Sequence, residues 1–299
     1  MTLFLFCISA LLLSGLLIFF ISQYQRINFP LWFILTGYAV LVVLLYVSSK
    51  PDFHLFFGSG TGFYASVLLL VFSMVSIFVF RLVFERRGFG KGKDLLRRLP
   101  VKGDTDQNSP CLITFDDGPS GLWTPEILQT LKENGVYAIF FLVGTHSEEN
   151  PDVVKQIEDA GCEAAVHSYS HKPLPFLFSG KLKEEMEKNY RAVEKITGKR
   201  PRFFRPPWGM YNREVLDMAE SLGLRTILWS RSSIDWKEKD PDRIIKNSLH
   251  DIKPGEIFLF HDGCKKGASR QATARALPAV LKKLKDMGFI FNSFYDIKN

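Results

Sequence analysis

The 299-residue chain has room for one ordinary domain and something smaller. Its formal net charge of +7 is concentrated: residues 81–102 hold eight Lys or Arg against Glu85 and Asp94, whereas residues 103–299 balance 28 basic with 28 acidic side chains. A neutral large domain argues against a nucleic-acid binder, and four cysteines without zinc-type spacing (Cys7, Cys111, Cys162, Cys264) argue against a disulfide framework and for buried free thiols.

Three apolar runs come first, at residues 3–21, 29–47 and 63–80. Each has 18 or 19 residues without a charge, close to the ~20 a helix needs to cross the hydrocarbon core. The first lacks a basic leading region and an A-x-A-like exit, so it reads as a span rather than a cleaved signal peptide. The other two carry Trp32, Tyr38, Tyr46 and Tyr64 and read as a helical hairpin in lipid. Residues 1–87 are therefore expected to form a three-helix transmembrane region of a multi-pass protein of the cell membrane. The cluster of Arg81, Arg86, Arg87, Lys91, Lys93, Arg97, Arg98 and Lys102 follows the third run directly. The positive-inside rule places that cluster, and with it the large domain, in the cytoplasm. Membrane lipid is then a partner, at about 1 kcal/mol for each Lys or Arg that reaches an anionic leaflet.

Residues 88–109 are rich in Gly, Lys and polar groups and read as a juxtamembrane linker. From 110 to 299, short apolar strands alternate with amphipathic helices. The strands are expected at 112–115, 138–142, 163–166, 203–205, 226–229, 257–260 and 289–292. Thr124 with Pro125 and Glu126, Asn150–Pro151–Asp152, Asn212 with Glu214, and Asp240–Pro241–Asp242 read as helix starts. Gly135, Gly161, Gly198, Gly223 and Gly288 read as helix stops. Seven strands with helices between them predict a parallel α/β domain, open or barrel-like.

Five polar clusters fall at strand C-terminal ends, where such folds place their sites. Thr114-Phe115-Asp116-Asp117-Gly118-Pro119 stands at the end of the first strand. Adjacent carboxylates let one hold a metal while the other stays free as a base; a polar turn is the bland alternative. His167-Ser168-Tyr169-Ser170-His171 sets two imidazoles at i and i+4, a spacing suited to zinc and similar ions. Arg205-Pro206-Pro207-Trp208-Gly209 is either a pre-organised Arg beside a backbone N–H for an oxyanion, or a Pro-rich turn with a surface Arg. Asp235-Trp236 and Leu259-Phe260-His261-Asp262 complete the set, with His261 a candidate general acid whose pKa a nearby Asp would raise.

In this order the five clusters resemble the polysaccharide deacetylase family (carbohydrate esterase family 4, the NodB-homology domain), over roughly residues 110–299. The resemblance implies a distorted (β/α)7 barrel. It implies Asp116 as the base that activates water, and Asp117, His167 and His171 as ligands of a divalent metal, usually Zn2+. Arg205 would orient the base, the Trp208 N–H would meet the oxyanion, and His261, tuned by Asp235, would protonate the leaving amine. Leu259 and Trp236 would line the acetyl pocket. Two departures stand out: Ala165-Val166 replaces a frequent Gly-Asn, and Ser232 sits where an additional Asp is common.

The implied partner is a carbohydrate, an N-acylated amino-sugar glycan of the cell envelope. A domain outside the membrane, as in most of the family, would meet a polymer. One on the cytoplasmic face would suit a polyprenyl-linked sugar. A non-catalytic, membrane-anchored glycan-binding scaffold, or ester rather than amide hydrolysis, are the other readings.

Overall fold

The computed structural model describes residues 95–100, 109–263 and 269–291. The three apolar runs, Cys7 and Cys264 lie outside the described residues. Among the described residues, no helix is long and apolar enough to cross a membrane. Cys111 and Cys162 are buried free thiols.

Among the described residues, eight strands form one sheet: β1 (Ser109–Asp116), β2 (Ala138–Leu142), β3 (Glu163–Val166), β4 (Phe203–Phe204), β5 (Arg225–Thr226), β6 (Arg231–Ser232), β7 (Glu256–His261) and β8 (Phe289–Phe291). The helices are α1 (Trp123–Asn134), α2 (Gly144–Glu149), α3 (Pro151–Asp159), α4 (Ser179–Thr197), α5 (Arg213–Ser221), α6 (Pro241–Leu249) and α7 (Gln271–Asp286). Strand order is β5-β4-β3-β2-β1-β7-β6, and every pairing is parallel. Cys111 pairs with Glu256 of β7 and with Phe291 of β8. So β8 takes the flank of β1 that β2, starting at Ile113, leaves open.

The count differs from the seven expected strands because Arg231–Ser232 forms an additional short strand beyond the fifth. Of the expected 226–229 run only Thr226 lies in β5, which pairs with β4, while β6 pairs with β7, so residues 225–232 join the two ends of the sheet path. That connection curls the sheet, as a distorted (β/α) barrel requires. Residues 95–100 fill the splayed gap between. Leu96 N–H donates to Thr226 O at 3.1 Å, Leu228 N–H donates to Leu96 O at 2.8 Å, and Leu99 N–H donates to Gly255 O at 2.7 Å. Part of the stretch read as linker is therefore built into the domain. Arg97 Nη2 lies 2.7 Å from the Tyr211 hydroxyl, and Arg98 Nη2 lies 3.3 Å from buried Glu256.

Side-chain alternation along the strands divides the apolar residues into layers. Cys111, Ile113, Phe115, Phe140, Phe258 and Phe260 pack outward under Ile127 and Leu131 of α1, Ile157 of α3 and Leu277 of α7. Leu112, Ile139, Phe141, Ala165, Phe203, Ile227 and Ile257 form a second cluster inside the curl, with Leu99 among them. On β1 the inward positions run Leu112, Thr114, Asp116, so the interior changes from apolar to polar toward the strand C-terminal ends.

Asn212 Oδ1 accepts from Val215 N–H and Asp240 Oδ1 from Asp242 N–H, which caps α5 and α6 as expected. The start of α1 differs. Ser120 Oγ accepts from Leu122 and Trp123 N–H, and the helix is under way before Pro125. Thr124 instead turns inward. It is buried, and its Oγ1 donates to Asp262 Oδ2 at 2.6 Å.

Candidate active site

Register builds the centre of the site. Asp116 and His261 are direct partners across β1 and β7, and Thr114 is the partner of Leu259 two positions earlier. Both polar side chains thus stand together at the strand ends, and Leu259 is buried beneath them. The chain then turns sharply. Asp117 has φ 73°, a left-handed conformation that costs a non-glycine residue about 1–3 kcal/mol. Its carbonyl accepts from His146 Nδ1 of α2 at 2.8 Å. A Cβ on Gly263 would land on the Asp117 carbonyl, and one on Gly118 would land on the Asp262 carboxylate. The loops after β1 and β7 approach so closely that only glycine fits.

Asp117, His167 and His171 offer one ligand atom each, all within 4.8 Å of one another. His171 Nε2 is 3.0 Å and His167 Nε2 3.5 Å from Asp117 Oδ1. His167 Nδ1 lies 2.7 Å from the Arg205 carbonyl, which can only accept. The ring therefore carries its proton on Nδ1 and turns the Nε2 lone pair into the site, the tautomer a metal ligand needs. Burial alone would raise the Asp117 carboxyl, but the His167 and His171 rings overcome it and hold it well below the usual range. Two imidazoles and an ionised carboxylate are a fitting donor set for a divalent cation.

Arg205 is not a surface residue. It is 0% exposed and bonded through three nitrogens: Nε to Ile227 O, Nη2 to Leu228 O, and Nη1 to both Thr114 Oγ1 and Asp116 Oδ1. The last distance is 2.6 Å, and the guanidinium lies over the Phe141 ring, 4.0 Å from its centroid. Asp116 Oδ1 is thereby occupied, while Oδ2 lies 3.8 Å from His167 Nε2.

Asp235 holds His261 twice: Oδ1 meets Nδ1 at 2.7 Å and Oδ2 accepts the backbone N–H at 2.8 Å. Burial disfavours a charged His261, but the Asp235 carboxylate outweighs it and pushes the imidazole up to about 9. Trp208 has φ 55° within the Pro207–Gly209 turn; its ring meets His171 edge-on at 4.4 Å and is 52% exposed. Trp236, next to Asp235 in the chain, is 54% exposed.

The structure thus brings Asp116, Asp117, His167, His171, Arg205, Asp235 and His261 into one cluster and places Trp208 and Leu259 against it. Sequence reasoning gave no role to the residues behind them. Thr114 accepts from Arg205 and donates to Phe258 O. Thr273 Oγ1 donates to Asp235 Oδ2, and Arg270 reaches Gly263 O and Asp235 O. Asp262, which burial pushes up to about 7, ties the β7 loop to Thr124. Thr114 and Asp262 stood within the polar clusters read from the sequence, without a role of their own, whereas Thr273 and Arg270 carried no signal.

Fold, site and relatives together define a hydrolase of amide bonds in carbohydrates, a carbohydrate deacetylase. The chain belongs to the polysaccharide deacetylase family, whose model matches residues 103–227. It is 32% identical over 196 residues to the chitooligosaccharide deacetylase of Bradyrhizobium sp. (strain ANU 289), covering 62% of this chain and 90% of that one. The Bc1960 peptidoglycan N-acetylglucosamine deacetylase structure superposes with a TM-score of 0.63 at 29% identity, over 68% of this chain and 92% of that one. BA3943, a family-4 carbohydrate esterase pseudoenzyme from Bacillus anthracis, superposes with a TM-score of 0.62 at 29% identity, over 70% of each chain.

Proposed function

We propose that this protein is a metal-dependent deacetylase, anchored in the cell membrane by residues 1–87, that removes an N-acetyl or other N-acyl group from an amino sugar of a cell-envelope glycan or its precursor. Of the stretch 88–109, residues 95–100 are built into the catalytic domain, and the part before them joins that domain to the anchor. The observation that carries the reading is the meeting of the Asp117–His167–His171 trio with the paired strand ends of Asp116 and His261.

When bound, a divalent ion at the trio, Zn2+ before others for two imidazoles and a carboxylate, supplies Lewis acidity and lowers the pKa of water. Arg205 fixes Asp116 so that its second oxygen faces the trio and takes the proton of the attacking water. The Trp208 N–H, presented by a left-handed residue, donates to the oxygen that becomes negative. His261, kept charged by Asp235, hands its proton to the departing nitrogen. Leu259 and Trp236 flank the space for the acyl methyl.

Full-length protein should release acetate from chitooligosaccharides and leave free amines on the sugar, lose that activity to a chelator and recover it with Zn2+. Asp116→Asn that stays fully active on an N-acetylated sugar would sink the assignment. Likeness to the BA3943 pseudoenzyme supports a second reading, a non-catalytic glycan-binding scaffold on the membrane, which absence of both metal uptake and turnover would favour. The substrate follows from the side of the membrane. The basic cluster supports a cytoplasmic domain and a polyprenyl-linked sugar; the peptidoglycan deacetylase relative supports an outer domain and a polymer. Reporter fusions at the C-terminus, or labelling of Cys264 from outside intact cells, separate them.

A further inference from the structure

Two polar residues in the middle of α4, Glu185 and Asn189, are buried although nothing in the sequence distinguishes them from a solvated face. They are four residues apart and share one side of the helix. Glu185 Oε2 accepts from the Ser170 backbone N–H at 2.9 Å, and Oε1 accepts from Ser170 Oγ at 2.6 Å and Lys172 Nζ at 3.1 Å. These donors bracket His171. One turn further on, Asn189 Nδ2 donates to Leu142 O at 2.9 Å and Ser168 O at 2.8 Å. Leu142 O also receives the His167 N–H at 3.0 Å. The loop so gripped is strained: Ser168 has φ 66° and His171 φ 50°, conformations that non-glycine residues keep only where surroundings impose them.

We propose that Glu185 and Asn189 are positioning residues for the metal centre: α4 clamps residues 168–172 in the one shape that sets His171 Nε2 against Asp117. The inference rests on the reading of His171 as a ligand. The chemistry requires a carboxylate at 185, because an N–H, an O–H and an ammonium all point at it and an amide would turn a donor toward one of them. Burial works to raise the Glu185 carboxyl, while Ser170 and Lys172 prevail and lower it, so the acceptor is ionised. Asn189 instead meets two carbonyls with its amide N–H groups, which an acid at that position would repel.

The test is metal binding by the full-length protein, stripped and then titrated with Zn2+ and with Co2+, whose visible absorption reports ligand geometry. Glu185→Gln should weaken affinity about 10–100-fold, the range for groups that orient a ligand, and alter the Co2+ spectrum. Ser170→Ala should move both in the same direction and stands in if Glu185→Gln does not fold. Arg191→Ala, on the exposed side of the same helix, should change neither. Wild-type binding with unchanged affinity and spectrum in Glu185→Gln and Ser170→Ala overturns the clamp alone. No uptake by the wild type overturns the metal reading and the clamp together.

Discussion

At the scale of single residues, the proposed base and the proposed acid each have a partner of their own. Asp116 is held by a guanidinium and His261 by a carboxylate, although the two are neighbours across one strand pair. Replacing Asp116 by Asn should lower kcat by roughly 100–10,000-fold, the usual yield of a positioned base, while metal content stays at the wild-type level in elemental analysis. His261 offers a direct titration. In the metal-free protein its ring should titrate at about 9, and Asp235→Asn should move it down toward the ordinary value near ~6.5; ring-proton NMR reads both. Because the folded value lies above the unfolded one, the pair's contribution to stability is complete below pH ~6.5 and is lost as pH rises through about 9. The principal site residues were legible because chemistry-bearing side chains ended apolar runs. Thr273, Arg270, Glu185 and Asn189 were not. They sit inside or beside amphipathic helices, where burial depends on which loop crosses the helix, and no periodicity encodes that.

At the scale of elements, six of the seven expected strands form as single strands, and the exception is instructive. The 226–229 segment reads as one strand because it is one apolar run; only Thr226 of it lies in a strand, β5 against β4, and the chain joins β7 a few residues later at Arg231–Ser232, where no strand was expected. Likewise Thr124 reads as a cap by residue type, yet Ser120 does that work and Thr124 is drawn inward by Asp262, 138 residues away. The wedge at residues 95–100 is the element that sequence concealed most fully, since its charges and its proximity to Gly suggest a spacer. Leu99 is buried among the inner cluster, so Leu99→Ala should cost roughly 2–5 kcal/mol, seen as a lowered denaturant midpoint with little change in slope.

At the scale of the whole molecule, the domain begins earlier than its family-like motifs suggest. A fragment starting at residue 110 omits Leu96 and Leu99 and leaves Thr226 O, Leu228 N–H and Gly255 O without their partners. It should unfold at lower denaturant and be cut faster by protease than a fragment starting at 88. Arg97 and Arg98 belong to the same contacts, so two of the eight basic residues counted toward topology already have partners within the domain. A fusion that reports the side of the membrane therefore tests a charge bias carried by the other six.

The wedge also sets a leash. If the last apolar run ends at residue 80 and the domain takes hold at Leu95, residues 81–94 are all that joins them. Such a tether, fully drawn out, reaches about 50 Å. Under the proposed anchoring, the catalytic domain would stay within that shell on either face of the bilayer, and the sugar chains open to it would be those still close to the membrane.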